Sequence, residues 1–158
     1  MRYKCIQCCL ETEMPLSDGD VEQIKGLGFN HDFFVVNIDG WLQLKNRDGR
    51  CVFNDGKQCL IYENRPEGCK LYPITYDEDE NCAVLDEDCP HRDCFKISEA
   101  ELELVSSLVA KLKNERMQRM QLKRPGWDLN PEGLSTASFP ESPSRVWCHT
   151  ELGDLGTK

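Results

Sequence analysis

The sequence predicts an α+β fold, in which short strands and helices form a small domain that is followed by one long C-terminal helix and a loose tail. Three observations support this prediction. The apolar segments of residues 1–97 are short and are separated by turn signals rich in Asp and Gly. A helical pattern begins at Ser98 and continues to about Lys123. From Pro125 onward, Pro, Gly and Ser are frequent and no periodicity is sustained.

The first predicted elements are a short helix and a hairpin. Ser17 and Asp20 have the spacing of a capping box, with Asp in place of Glu, and begin the helix. Asp39-Gly40 is a two-residue hairpin signal between strands expected over 33–38 and 41–45. The other predicted strands are short and lie at residues 51–53, 59–62, 74–76 and 82–85.

The longest helix begins at a second capping box, formed by Ser98 and Glu101. Its apolar stripe consists of Val105, Leu108, Val109 and Leu112, which recur at helical spacing. Basic residues close the helix, as the macrodipole favours. We interpret them as a solvated helix end, with RNA or an acidic partner as the alternative.

The chain therefore divides into three predicted parts. Residues 1–97 hold nine of the ten cysteines, together with 19 acidic and 11 basic side chains. Residues 98–124 form the long helix, which we expect to pack on the first part. Residues 125–158 form the loose tail. Within the tail, 127–131 would be encoded by the reverse complement of a transfer-RNA T arm, so we hypothesise that the tail is non-functional read-through.

Charge and hydropathy exclude some classes of function. The chain has 28 acidic and 19 basic side chains and a net charge of −9, which argues against a nucleic-acid partner because phosphate backbones need clustered Lys and Arg. No apolar run approaches the ~18 residues of a membrane span, and the sequence begins without an apolar signal segment. We expect a soluble, cytoplasmic protein with no membrane partner.

In a reducing compartment, cysteines serve metals or chemistry more often than disulfides. Cys8 and Cys9 are adjacent and do not easily form a relaxed disulfide with each other. The Cys5-x2-Cys8 spacing lets a loop turn both sulfurs toward one ion. Metal binding is therefore favoured over disulfides or inert buried thiols.

A second block, Cys51-x7-Cys59-x9-Cys69, contains Arg65-Pro66. Pro66 suits the first turn of a short helix, which places Cys69 near backbone N–H groups that stabilise a thiolate. Four thiolates around Zn²⁺ or a [4Fe–4S]²⁺ core leave a net charge of about −2. Arg65 could offset part of this charge as a cofactor-binding residue, and an ordinary surface ion pair is its alternative role.

These motifs resemble those of the CxxCxxCC cysteine-cluster family, which is described as a zinc- or iron-chelating domain. The resemblance covers roughly residues 3–95. It rests on Cys5, Cys8-Cys9, Cys51-Val52-Phe53, Cys59-Leu60-Ile61-Tyr62, Arg65-Pro66, Cys69, Tyr72-Pro73 and Cys89-Pro90. The first cysteine of the family motif would fall at Arg2, so the N-terminal motif is shortened here. A missing ligand, a start upstream of Met1, or a branch with fewer N-terminal thiols would each explain this.

The resemblance implies metal chelation by Cys5, Cys8, Cys9, Cys51, Cys59, Cys69 and Cys89. Cys82, Cys94 and Cys148 fall outside the motifs, and His31 and His91 are possible substitute ligands. Seven thiolates suit two zinc ions that share a bridging thiolate, or one [4Fe–4S] cluster with three spare cysteines. Ligand type does not choose between zinc and iron, because both accept all-thiolate sites.

The expected function is that of a metal-binding protein, in which zinc or an iron–sulfur cluster has a structural or redox role. We expect the bound metal to hold the small domain together. The alternative is an enzyme component related to iron–sulfur protein lysine methylases, because flagellin lysine methylases of the wider family carry a similar cysteine domain. The sequence shows no GxGxxG loop, Ser-His-Asp set or CxxxCxxC motif, so no catalytic residue is assigned. A zinc-ribbon-like nucleic-acid binder is disfavoured by the acidic cysteine region.

Overall fold

The computed structural model describes residues 5–122, and the predicted tail lies outside them. The helices are α1 (Asp18–Gly26), α2 (His31–Phe34), α3 (Glu67–Leu71) and α4 (Glu99–Leu122). The strands are β1 (Val35–Ile38), β2 (Trp41–Leu44), β3 (Asn46–Arg47), β4 (Arg50–Cys51), β5 (Ile74–Asp77) and β6 (Cys82–Leu85). They pair as three two-stranded antiparallel sheets, β1–β2, β3–β4 and β5–β6. The α+β prediction is confirmed.

Both predicted capping boxes are formed. The Ser17 hydroxyl accepts a hydrogen bond from the backbone N–H of Asp20 at 3.1 Å, and the Asp20 carboxylate accepts one from the Ser17 N–H at 3.0 Å. At the start of α4, the Ser98 N–H donates to the Glu101 carboxylate at 2.9 Å. These reciprocal bonds satisfy N–H groups that have no partner within the first helical turn, and they explain why both helices begin where the sequence indicates.

Asp39-Gly40 joins β1 to β2 as predicted. Both residues have positive φ, at 48° and 85°, as a type I′ turn requires. The prediction of a strand from residue 33 is wrong, since Phe33 and Phe34 belong to the short helix α2. The side chain of Asn30 caps that helix by accepting from the Asp32 N–H at 2.9 Å, so the chain becomes extended only at Val35.

The predicted strand over 59–62 is also wrong. The carboxylate of Asp55 accepts hydrogen bonds from the backbone N–H groups of Lys57 and Gln58, each at 2.8 Å. These bonds form a tight turn just before Cys59, and the Asn64 N–H then donates to the Ile61 carbonyl at 2.8 Å in a 3-10 turn at Tyr62–Asn64, which leaves no extended segment over 59–62. Cys59 retains one isolated bridge, with Asn54. Of the strand predicted over 51–53, only Cys51 pairs within a sheet.

The long helix α4 lies on the cysteine-rich part of the chain. Val105 and Leu112 of its apolar stripe are buried, and α4 contacts α3, β2, β5 and β6.

The basic end of α4 is held at Arg119, whose side chain is only 16% exposed. Its guanidinium pairs with Asp18 at 2.7 Å and donates to the Gly40 carbonyl at 2.9 Å. The interpretation of a solvated basic end is therefore wrong at Arg119, because acceptors on α1 and the β1–β2 turn bind it. No helix among residues 5–122 is long and apolar enough to cross a membrane.

The core lies between α1, the β1–β2 hairpin and the cysteine loops. Its buried members are Leu16, Val21, Ile24, Phe34, Val35, Leu42, Leu44, Cys51, Phe53 and Ile61. Phe53 contacts the rings of Phe29 and Phe34, with centroid separations of 5.0 Å and 5.7 Å. Cys9, Cys59 and Cys69 pack against this cluster, so the apolar core forms one wall of the site described next.

Candidate metal centre

Five of the seven predicted ligands line one cavity of about 50 Å³. They are Cys8, Cys9, Cys51, Cys59 and Cys69. The remaining walls are mainly apolar and include Leu44, Phe53 and Ile61 of the core, together with Arg65 and Tyr72. The space is several times the ~10–15 Å³ that one water molecule requires. Cysteines from four separate segments thus face a common space beside the core.

The N-terminal pair reaches this cavity through a 3-10 turn, Gln7–Cys9. The turn is attached to the β3–β4 hairpin, because Leu10 forms an isolated bridge with Arg50 and the Glu11 N–H donates to the Gly49 carbonyl at 2.9 Å. Cys51 ends β4, so the same hairpin carries one cysteine and anchors the segment that brings two more.

Cys69 is positioned by helix α3. Buried Pro66 is the N-cap of the helix, one position before the first turn in which the sequence predicts it. The second carboxylate oxygen of Asp20 accepts a hydrogen bond from the Glu67 N–H at 2.9 Å, which fixes the start of α3 against α1. The sequence indicated only the capping role of Asp20, because no local pattern reveals a bond to a residue so distant in the chain.

Cys5 and Cys89 do not line the cavity but lie beside its margin. Cys5 interacts electrostatically with Cys8, and its sulfur accepts a hydrogen bond from the Gln7 N–H at 3.5 Å. Burial, the charge of Asp86 and the nearby, buried thiol of Cys89 raise the pKa of Tyr72, whose side chain lines the cavity. The structure therefore brings five predicted ligands together and leaves these two adjacent to them.

The other cysteines and histidines of the described chain lie away from the cavity walls. Cys82 is in β6, and Cys94 is exposed in a short turn after Cys89. His31 is exposed at the start of α2, where its Nδ1 lies 3.2 Å from the Asp32 carboxylate. His91 precedes the turn that contains Cys94 and does not contribute to the lining.

Burial makes most of the cavity thiols hard to ionise. It raises the pKa of Cys51 from 9.0 to about 11, and it raises the pKa of Cys59 and of Cys69 as well. The Cys8 and Cys9 sulfurs lie 3.9 Å apart. Their hydrogen bond raises the pKa of Cys8 and lowers that of Cys9, with contributions to Cys9 from Asn54 and Arg65. Within this pair, Asn54 and Arg65 favour the ionised form of Cys9.

Among residues 5–122, Arg65 is the cationic residue of the cavity wall. Its guanidinium carbon lies 4.1 Å from the centroid of the Tyr62 ring, a stacking that orients the planar group. Its charge lowers the pKa of Cys9 and opposes the rise in the pKa of Cys59. The guanidinium therefore favours negative charge on two thiols that the sequence predicted as ligands.

The donor set suits a soft metal. Thiolates select zinc and iron–sulfur clusters over hard cations, and the cavity offers cysteine sulfur within an apolar shell. Within residues 5–122, no three Cys, His, Asp or Glu side chains already form a metal-binding group. Since a bound metal requires thiolates, its binding must release the protons that burial holds on these thiols.

Comparison with known families agrees with this chemistry. The chain belongs to the CxxCxxCC family, whose model is described as "Putative zinc- or iron-chelating domain" and matches residues 2–90. The cysteine-rich part is therefore a metal-binding domain of the zinc- or iron-chelating class. No curated protein matches the chain, and neither does any solved structure.

Proposed function

We propose that the chain holds zinc or an iron–sulfur cluster in a structural or redox role. The proposed ligands are Cys5, Cys8, Cys9, Cys51, Cys59, Cys69 and Cys89. The observation that carries the proposal is the single cavity that five of these cysteines line beside the core. Sulfur ligands from distant segments of the chain can be crosslinked there by one bound group, whose free energy of binding then contributes to folding.

The structural role is supported by the size of the core. Ten buried residues form its main cluster, and the strands of all three sheets are only two or four residues long. Domains with little apolar core commonly rely on metals or disulfides. A metal at the cavity would join the N-terminal turn, the Cys51–Cys59 loop and α3.

We also propose that Arg65 is a cofactor-binding residue through charge. It lies on the cavity wall and acts on Cys9 and Cys59. A thiolate-rich site carries excess negative charge, and a guanidinium held by stacking on Tyr62 offsets part of it. Cys5 and Cys89 are proposed as outer members of the set, since both adjoin residues of the cavity.

The test is purification of the full chain under anaerobic conditions, followed by measurement of zinc, iron and acid-labile sulfide per chain. A colourless protein with stoichiometric zinc supports the structural role. A brown protein with iron and sulfide supports the redox role, and it also keeps the alternative of an enzyme component related to iron–sulfur lysine methylases. A chain that retains neither metal, and that binds neither on reconstitution, contradicts the proposal.

A further inference from the structure

The carboxylate of Asp20 connects two helices that are far apart in the sequence. One of its oxygens, Oδ2, accepts hydrogen bonds from the Ser17 N–H at 3.0 Å and from the Ser17 hydroxyl at 2.8 Å. The other oxygen, Oδ1, accepts a hydrogen bond from the Glu67 N–H at 2.9 Å, and Glu67 is the first residue of α3. The capping box of α1 uses only Oδ2, so the bond to α3 has a separate role.

The position of this carboxylate is set by the apolar core. Asp20 is only 4% exposed, and Val21 and Ile24 of the same helix are buried members of the core cluster. A buried carboxylate oxygen costs free energy of folding unless it accepts a hydrogen bond. The core therefore presents Oδ1 to α3 from a helix that contributes no cysteine to the cavity.

Helix α3 needs an acceptor from outside itself. It has only five residues, too few to be stable alone in water. Its first N–H groups have no partner within the helix, and its N-cap, Pro66, makes no capping hydrogen bond through its side chain. The Asp20 carboxylate supplies from α1 the acceptor that a capping residue of α3 would otherwise provide.

The orientation of α3 determines where the sulfur of Cys69 lies. Cys69 is two residues after Glu67 in the same short helix, and it lines the cavity. A metal that binds Cys69 must find α3 in place or order it on binding. Because the apparent affinity falls with the fraction of chains that are competent to bind, a contact that favours the docked α3 raises the affinity for the metal.

We propose that Asp20 is a positioning residue of the metal centre, which caps α3 from α1 and thereby holds Cys69 toward the cavity. The inference rests on the proposed function, since it requires Cys69 to be a ligand. Loss of a hydrogen bond to a charged group typically weakens an equilibrium by about 10- to 100-fold. We expect that loss to appear in the affinity for the metal.

Glu67→Pro removes this bond from the α3 side alone. Proline has no N–H and is well tolerated at the first position of a helix, and the bonds between Asp20 and Ser17 stay in place. The Glu67 carboxylate also pairs with Lys111 at 3.2 Å. Glu67→Ala, which loses that pair but keeps the N–H, is therefore the matched control. Ser17→Ala is a second control, because it weakens the cap of α1 and keeps the bond to α3.

The experiment loads each full-length variant with Co²⁺ and measures affinity by chelator competition, with the thiolate-to-cobalt charge-transfer band as the signal. Glu67→Pro should bind about 10- to 100-fold more weakly than the wild type, and Glu67→Ala should match the wild type. Ser17→Ala should melt at a lower temperature with unchanged affinity. This separation of affinity from stability is the decisive readout, since a purely structural bond would change stability alone.

Asp20→Asn tests the same bond from the α1 side. An Asn has one acceptor oxygen, which cannot serve both helices, so the affinity should fall again, and adding Glu67→Pro should cause no further loss. If Asp20→Asn does not fold, Glu67→Pro still decides. Wild-type affinity in Glu67→Pro, or an equal loss in Glu67→Ala, would overturn the inference and leave the proposed function intact. If the wild-type chain gives no thiolate-to-cobalt band and binds no zinc or iron, the proposed function and this inference both fail.

Discussion

Replacing Cys69 with Ser should remove most of the bound metal. Cys69 lies in α3 and faces the cavity with its sulfur packed against the core. The substitution keeps the side-chain volume but exchanges a soft thiolate for a hydroxyl that stays protonated. Structural zinc contributes about 10–16 kcal/mol in total, so one of four ligands accounts for about 2.5–4 kcal/mol. That loss corresponds to affinity weakened by about 100- to 1,000-fold.

The matched control for this prediction is Cys94→Ser. Cys94 is exposed and lies outside the cavity walls, so the same substitution there should change stability by no more than about 0.5 kcal/mol and leave the metal content unchanged. Both variants and the wild type are purified anaerobically as full chains, assayed for metal per chain, and titrated with a competing chelator. Equal metal retention by Cys69→Ser and wild type would refute the ligand assignment, as would equal losses from the Cys69 and Cys94 variants.

Three further predictions concern pH, metal removal and the attachment of α4. Because burial raises the pKa of Cys51 from 9.0 to about 11 and metal binding requires its thiolate, the affinity for the metal should fall as pH is lowered; chelator competition between about pH 9 and about pH 6 checks this, and an affinity that does not change with pH contradicts it. Chelation of the metal should abolish hydrogen-exchange protection over 51–73 while α4 keeps part of its own, and unchanged protection over 51–73 would show that the metal is not linked to folding. Arg119→Ala should lower the free energy of unfolding by about 1.5–3 kcal/mol, because it removes charge-assisted bonds to Asp18 and Gly40. The exposed Arg92→Ala is its control in the same thermal melt, where equal melting temperatures for the two variants would contradict the prediction.

Features that depend on a few consecutive residues could be read from the sequence. The capping boxes of Ser17 and Ser98 formed as predicted, and so did the Asp39-Gly40 turn. In each of them the bonded groups are at most three residues apart, so local chemistry is sufficient. The strand expected over 59–62 failed for a related reason, because the Ile61 carbonyl accepts from the Asn64 N–H within a local 3-10 turn and not from a neighbouring strand.

The cysteine motifs determined the chemistry of this protein. Their residue types and spacings indicated a soft metal, and the family was recognisable from them alone. The sequence did not determine which thiols meet, since the cavity arises from contacts between segments far apart in the chain. Asp20 fixes α3 from another helix, and Arg119 holds α4 through Asp18 and the Gly40 carbonyl.

Tertiary structure alone decided the electrostatic order within the site. Cys51 and Cys69 are chemically identical to Cys9 in the sequence, yet burial raises the pKa of the first two, while the Cys8 hydrogen bond, Asn54 and Arg65 lower that of Cys9. Ionisation depends on desolvation and on the charges and donors around a sulfur atom. Those surroundings exist only once the N-terminal turn, the Cys51–Cys59 loop and α3 are packed around one cavity.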